Sequence, residues 1–199
     1  MGIRSLSSAS ISTGVKRSKF WDQIASIPYT GPAWDSIATA TPSGVNTFDF
    51  TSIPSTYKFL RIVSTHKTNV GTTVDNIQMT FNDDTANNYS FTYSYAQNTS
   101  IGGNNTTAGS CFYMRALGSG GNSNGFYATA VVDIYDYSNT SKWTTVHSHG
   151  GAVGNSNENE VWFMNSTWAN TSVVNKITIG YGAGSFVSGS EFHLYGIKG

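Results

Sequence analysis

The segment "YSFTYSYAQ" (residues 89–97) alternates strictly between aromatic and small polar residues, and this alternation restricts the fold more than any other feature of the chain. A period of two places alternate side chains on opposite faces of a β-strand, whereas a helix would need a period near 3.6. The aromatic face is formed by Tyr89, Phe91, Tyr93 and Tyr95. The pattern therefore predicts a strand with one buried face.

Similar strand patterns recur along the chain in "YKFLRIVSTH", "VDNIQMTF", "FYATAVVDIYDY", "KWTTVHSH", "VWFMNSTW" and "NKITIGY". Turn-forming Gly, Asn, Ser and Asp fill the breaks, including "NTSIGGNNTTAG" and "LGSGGNSNG". With strands near residues 34–40, near Phe48 and at the C-terminus, we count about ten strands. No segment shows sustained helical periodicity. The sequence predicts an all-β fold, an antiparallel β-sandwich of jelly-roll type.

The chain ends on an apolar segment, "EFHLYGIKG", which follows a Gly/Ser turn. We expect it to form a strand of the core, with Phe192, Leu194 and Gly196 on one face. The preceding "KITIG" segment is predicted to be its hairpin partner. The C-terminus would then be held in the sheet.

Charged residues make up only 11% of the 199 residues, against about 25% in a typical soluble protein. Their distribution is uneven. The first twenty residues hold four basic and no acidic residues, and the remainder holds seven basic and eleven acidic residues. A nucleic-acid-binding domain would need a basic surface, which argues against that function. No window approaches the roughly 20 apolar residues of a membrane span, and the N-terminus lacks the apolar run of a secretory signal.

Residues 1–32 are predicted to be an extended basic arm and linker that precede a β-sandwich domain at residues 33–199. The arm lacks both strand and helix periodicity, and "IPYTGPAW" has the proline and glycine of a linker. We expect the arm to anchor the protein to a partner through basic side chains and two aromatic ones. The anchoring residues are Arg4, Lys16, Arg17, Lys19, Phe20 and Trp21.

Five segments together resemble a family of tailed-bacteriophage virion proteins: "FTSIPSTYKFLRI", "MTFNDDTANNYS", "VVDIYDYSNTSKWTTVHSHGG", "STWANTSVVNKITI" and "GSEFHLYGIKG". They occur in the family's order and cover most of residues 36–199. The chain departs from the family at "FNDD", where a glycine is usual before the aspartate, and at "VHSHGG". The resemblance implies a structural protein of the virion, made in the host cytoplasm, with three copies per assembly and no cofactor.

Candidate catalytic groups are sparse. No strand–turn–helix elbow marks a nucleophile, because the "GxSxG" match, "GNSNG" at residues 121–125, lies in a predicted Gly/Asn/Ser turn with no helix pattern after it. Asp133 and Asp136 are three residues apart in a predicted strand, so they would face opposite sides unless a turn began between them. Asp136 is better explained as a turn cap for "SNTSK", and Asp83 and Asp84 as turn caps in "FNDDTANN", where a calcium loop is the alternative.

His147 and His149 are separated by one residue in a predicted strand, so both imidazoles would lie on one face. Three copies meeting at an axis could present six ring nitrogens to one metal ion. The alternative is a pair of half-exposed strand histidines without a ligand.

Binding is the other possibility, because aromatic side chains beside Asn, Ser and Gly loops contact sugars and protein surfaces well. The predicted receptor loops are residues 98–109, 118–125 and 150–159. Candidate contact aromatics, each of which could instead belong to the core, are Tyr113, Phe126, Trp162 and Trp168.

The sequence therefore predicts a non-enzymatic phage virion protein whose arm docks on other virion proteins and whose β-sandwich forms an outward knob. As a tail fibre or adhesin, the knob would bind a host surface glycan. The alternatives are a head decoration protein, a lectin module, or a short tailspike depolymerase. A depolymerase would need two carboxylates about 5–10 Å apart in a groove, and Asp133 and Glu160 are its candidates.

Overall fold

The chain divides into two units between Pro32 and Ala33, and the second contains all of the described residues. The computed structural model describes residues 33–72, 74–118, 125–153, 159–181 and 184–198. The six predicted anchoring residues, Arg4, Lys16, Arg17, Lys19, Phe20 and Trp21, lie outside the described residues.

Twelve β-strands and no helix make up the secondary structure of the described residues. The strands are β1 (Trp34–Ala40), β2 (Thr47–Phe50), β3 (Phe59–Thr68), β4 (Val74–Phe81), β5 (Tyr89–Gln97), β6 (Ser100–Gly109), β7 (Phe112–Gly118), β8 (Ala128–Tyr135), β9 (Thr144–Ala152), β10 (Glu160–Trp168), β11 (Ile177–Tyr181) and β12 (Glu191–Ile197).

The strands form two sheets with the order of a jelly roll. Four strands of one sheet run β1-β12-β3-β8, and the facing sheet runs β2-β11-β4-β7. Among these eight strands, successive ones alternate between the two sets except β4 and β7, which are neighbours in the small sheet, as in two Greek keys that close into a sandwich. Every pairing is antiparallel except a two-residue parallel contact that joins the ends of β3 and β7. The predicted β-sandwich is confirmed, with two strands more than the count from sequence.

The remaining four strands widen only the first sheet. Beyond β8 its order continues β9-β10-β5-β6, so this large sheet has eight strands and the small sheet has four. In the chain, β5 and β6 lie between two strands of the small sheet, and β9 and β10 lie between β8 and β11. The two pairs meet in space where β10 pairs with β5.

The predicted hairpin between "KITIG" and the C-terminal segment is wrong. β11 pairs with β2 and β4 in the small sheet, whereas β12 lies between β1 and β3 in the large sheet. The turn between them therefore crosses from one sheet to the other. The predicted face of β12 is correct, because Phe192, Leu194 and Gly196 are buried. Phe192 contacts Phe48 and Phe186, with ring centroids 4.9 and 5.3 Å apart.

The segment "NTSIGGNNTTAG", predicted to be a loop, mostly forms strand β6, which pairs with β5 along its length. Its glycines and asparagines have low strand propensity. Main-chain hydrogen bonding to β5 forms the strand despite that composition. Its exposed position at the sheet edge explains why it lacks an apolar face.

Asp84 connects the turn after β4 to the aromatic core. Its carboxylate accepts hydrogen bonds from Trp168 Nε1 at 2.7 Å, from Asn88 Nδ2 at 2.9 Å and from the Ala86 backbone N–H at 2.9 Å. Partial burial raises the pKa of Asp84, but the hydrogen bonds from Asn88 and Trp168 outweigh burial, so the pKa lies below its ordinary value. Asp84 is thus the predicted turn cap, and it also holds a buried tryptophan.

We expect Asp84→Asn to lower the free energy of unfolding by about 1–2 kcal/mol at neutral pH, because a charge-assisted hydrogen bond is lost. A lowered folded-state pKa means that the stabilisation is present above about pH 4 and disappears as pH falls through the folded-state pKa. Urea denaturation of both proteins at several pH values measures this difference.

Asp83→Asn is the matched control. The Asp83 carboxylate is exposed and contacts Lys176 Nζ at 2.7 Å, a surface pair worth at most about 1 kcal/mol. Equal losses in the two variants at neutral pH, or a loss in Asp84→Asn that persists in acid, would contradict the assigned role of Asp84.

Candidate functional site

A cleft opens where the large sheet extends past the small one. Its volume is about 240 Å³. The large sheet contributes residues from β5, β6 and β10, and the small sheet contributes one residue each from β4 and β7. The lining residues are Asn76, Phe91, Tyr93, Asn104, Thr106, Tyr113, Trp162 and Met164.

The aromatic wall of the cleft belongs to the alternating face of β5. Phe91 meets Tyr113 edge-on at 5.4 Å between ring centroids, and Tyr93 follows Phe91 at 6.2 Å. Tyr95 continues the row, stacked 6.1 Å from Tyr93. Because Gly102 lies opposite Tyr95 and has no side chain, the Tyr95 ring lies directly over it; a Cβ there would come within 2.6 Å of the ring. The row thus runs from the core out to the half-buried end of β5.

Trp162 lies between the cleft and the core, and only 2% of its surface is exposed. Its ring packs on Gly150 of β9, where a side chain would overlap both the ring and the Thr129 carbonyl oxygen. Its Nε1 is buried and has no hydrogen-bond partner among the described residues. A buried N–H without a hydrogen-bond partner lowers the stability of the folded state. The contribution of Trp162 to stability therefore comes from the packing of its ring and not from its N–H group.

The polar groups of the cleft are two amides and hydroxyls, and no charged side chain is among its described lining residues. Asn104 Oδ1 accepts the backbone N–H of Asn105 at 2.8 Å, which orients the Asn104 amide. A hydrogen bond with Cys111 and burial together raise the pKa of Tyr113, so its hydroxyl keeps its proton at neutral pH. The site therefore combines flat apolar faces with neutral hydrogen-bonding groups.

The structure separates the four aromatic residues proposed as contacts. Trp168 is buried and belongs to the core rather than to a contact surface. Trp162 also belongs to the core, but it lines the cleft as well. Tyr113 is half-buried and forms part of the wall. Phe126 lies elsewhere, in a more open depression of about 570 Å³ that Val153 and Val161 also line.

Of the described residues in the three predicted receptor loops, Asn104 and Thr106 line the cleft, and both belong to a strand. Residues 100–109 are strand β6, and the first three residues of 150–159 end strand β9. Most of 118–125 and residues 154–158 lie outside the described part of the chain. The sequence did not identify Asn76, Asn104 or Thr106. The alternation of aromatic and polar residues in β5 predicted the aromatic wall. It did not show that the aromatic face of β5 would remain partly uncovered by the small sheet.

The carboxylates proposed for a depolymerase do not share a groove. Asp133 is on the outer face of the large sheet, where it accepts two hydrogen bonds from Arg61, at 2.5 and 2.7 Å. Asn165 of β10 is in register with Asp133 through His147, so its side chain also lies on the outer face. Glu160 is five residues from Asn165 on the same strand, and an odd separation places its buried side chain on the opposite, inner face.

Asp136 adopts a positive φ of 55°, and its backbone carbonyl accepts the Asn139 N–H, so a turn follows β8 as predicted. The Asp136 carboxylate contacts the side chains of Asn139 and Lys142, so the hydrogen bond that closes the turn is not the predicted side-chain cap.

His147 and His149 share the outer face of β9, as predicted, with ring centroids 5.7 Å apart. Both are half-buried, and His149 also stacks on Phe163. Among the described residues, no group of three or more His, Cys, Asp or Glu side chains could hold a metal ion. A metal shared between copies at this pair stays a prediction.

No protein-family model matches this chain, and neither curated proteins nor solved structures gave a match. In the part of the chain that the structure describes, no helix is long and apolar enough to cross a membrane.

We expect Gly150→Ala to destabilise the domain by about 1–3 kcal/mol, because the added methyl group would overlap backbone as well as the Trp162 ring. Gly151→Ala is the control in the next position, where the added methyl group would lie 3.1 Å from its nearest neighbour, the Glu160 carbonyl oxygen, and a small shift suffices. Thermal unfolding compares the two. A Gly150→Ala protein as stable as the control would show that the Trp162 packing is looser than described.

Proposed function

We propose that this protein is a non-enzymatic structural protein of a bacteriophage virion, and that its jelly roll forms an outward knob that binds a saccharide of the host surface. The observation that carries the proposal is the uncharged, aromatic-walled cleft at the overhang of the large sheet. The resemblance to virion proteins in five segments supports the location in the particle.

The lining of the cleft suits a neutral sugar. The apolar C–H face of a sugar ring packs on aromatic faces such as those of Tyr93 and Tyr113. The amides of Asn76 and Asn104 and the hydroxyl of Thr106 match sugar hydroxyls, which both donate and accept hydrogen bonds. A volume of about 240 Å³ is below the roughly 300–1,000 Å³ of sites for drug-sized molecules. We infer that one sugar unit enters the cleft and the rest of the glycan stays outside.

A binding role fits this site better than hydrolysis. Glycoside hydrolysis requires a pair of carboxylates that flank the scissile bond, and the described lining residues include none. Asp133 is held by Arg61 on the opposite face of the sheet. The saccharide would therefore leave the cleft unchanged.

The arm, residues 1–32, supplies the attachment to the particle in this proposal. Its basic residues would pair with an acidic patch of another virion protein, and Phe20 and Trp21 would insert into an apolar one. The resemblance also carries the expectation of three copies per assembly. Within this proposal, a saccharide site supports a placement on a tail fibre more than one as a head decoration protein.

We expect Tyr93→Ala to weaken saccharide binding about two- to tenfold, because a stacked ring contributes about 0.5–1.5 kcal/mol. The measurement is binding of the full-length protein to arrayed lipopolysaccharide and capsular oligosaccharides, both neutral and acidic. Tyr195→Ala is the control, because Tyr195 lies on the outer face of the large sheet, beside Trp34. Equal binding by both variants, or a strict preference for acidic glycans, would contradict the proposed site.

We expect replacement of Lys16, Arg17 and Lys19 by glutamate to abolish incorporation into particles while leaving the β-sandwich folded, because the arm would then repel an acidic partner. Mass spectrometry of purified particles measures incorporation, and circular dichroism checks the fold. Replacement of Lys58, Lys142 and Lys198, which lie in the β-sandwich, is the control with the same charge change. Normal incorporation of the arm variant would refute the anchoring role, and immunogold labelling would separate tail from head.

A further inference from the structure

The two sheets have four edge strands, and three of them carry features that discourage pairing with another chain. Edges need such features because their outward main-chain groups otherwise form a template for a further strand. β2 has only four residues. β1 has a bulge between Ser36 and Ala38, and an ion pair of Asp35 with Lys198 at 2.9 Å. β7 is joined at its end to β3.

The fourth edge, β6, has none of these features. It is ten residues long, "SIGGNNTTAG", without a charged residue or a proline. It pairs with β5 on one side, and no strand of the described chain lies on its other side. Its only irregularity in pairing falls near its C-terminal end, opposite Tyr89 and Phe91. The first six residues therefore present a regular and open edge.

The outward main-chain groups of this edge belong to alternate residues. The backbone N–H of Asn105 bonds to the side chain of Asn104 rather than to β5. In an antiparallel strand, N–H and C=O groups of one residue point to the same side, and every second residue repeats that direction. Ile101 and Gly103 therefore also direct their main-chain groups away from β5. Of the outward N–H groups of Ile101, Gly103 and Asn105, that of Asn105 bonds to the Asn104 side chain. A carbonyl group of another strand could replace this side chain as the acceptor.

Apolar side chains accompany this edge on the outer face of the large sheet. Ile101 is 87% exposed. Its row continues through Ala96 of β5 to Val161 of β10, and Phe163 lies two residues further along β10. Val161 and Phe163 are each more than half exposed. Burial of this row would remove apolar area from water, which no contact within the described chain does.

We propose that β6 pairs in antiparallel fashion with β6 of a second copy of this chain, across a two-fold axis, and joins two large sheets into one. A strand that pairs with itself in this way offers each copy the same set of main-chain hydrogen bonds. The absence of charge in β6 removes the like-charge repulsion that a two-fold axis would otherwise impose. The formal net charge of the whole chain is zero, which also permits self-association.

This pairing goes beyond the proposed function and does not depend on saccharide binding. It gives two copies, in contrast to the three that the family resemblance implies. It also brings two clefts together, because Asn104 and Thr106 of β6 line each cleft from the inner face.

Sedimentation equilibrium of the full-length protein over a wide concentration range tests the proposal. We expect the wild-type protein to have the mass of a dimer, and Ile101→Lys with Thr107→Lys to raise the dimer dissociation constant on the order of tenfold or more, since lysines of both copies would then lie along the paired strands and repel each other. Both residues are exposed, so the fold should tolerate the lysines. Asn105→Lys is the second variant, and it decides the outcome if the double variant does not fold.

Val45→Lys with Trp143→Lys is the matched control, because both side chains are exposed, apolar and outside β6. This control should remain a dimer. A wild-type protein that is monomeric at every concentration would overturn the proposal. So would an assembly of two or three copies that survives the β6 variants, because association would then use another surface.

Discussion

The eight-stranded sheet is twice as wide as the sheet that covers it, and much of the structure follows from that mismatch. Apolar area on the inner face of a sheet has to be buried, and four strands can cover only part of eight. Near the jelly-roll strands the inner face is filled by Phe192, Leu194 and their neighbours. Along β5 burial decreases from Tyr89 to Tyr95. The cleft is the place where aromatic residues continue although the facing sheet has ended.

Neutral hydrogen-bond donors carry out tasks for which soluble proteins often use cationic side chains. Asp84 holds its turn and Trp168 through amide, indole and backbone donors. The Arg61–Asp133 pair is an exception, and it is partly covered by Trp34, whose ring lies 4.9 Å from the guanidinium carbon. Such shielding from water strengthens both the ion pair and the cation–π contact.

The sequence predicted those features that depend on neighbouring residues. The alternation of residues 89–97 defined a strand and its aromatic face, and the turns at Asp84 and Asp136 were also visible. Strand pairing was not, because β11 and β12 are adjacent in the chain but lie in different sheets. β6 was missed because a strand held by main-chain bonds at an edge needs no apolar pattern. The cleft could not be predicted for a related reason, since Asn76 and Trp162 are 86 positions apart and meet only through the fold.

The four strands that widen the large sheet enter the chain as two insertions into an eight-strand jelly roll. Six of the eight cleft residues come from these insertions, and only Asn76 and Tyr113 belong to the jelly roll itself. Under the proposed function, recognition rests mainly on the inserted strands, which also supply core residues such as Tyr89 and Trp168. If the proposed function holds, substitutions at the cleft-facing residues of the inserted strands would alter which host a particle adsorbs to while the eight strands of the jelly roll remain unchanged. Host range would then evolve at a rate set by two short segments rather than by the whole domain.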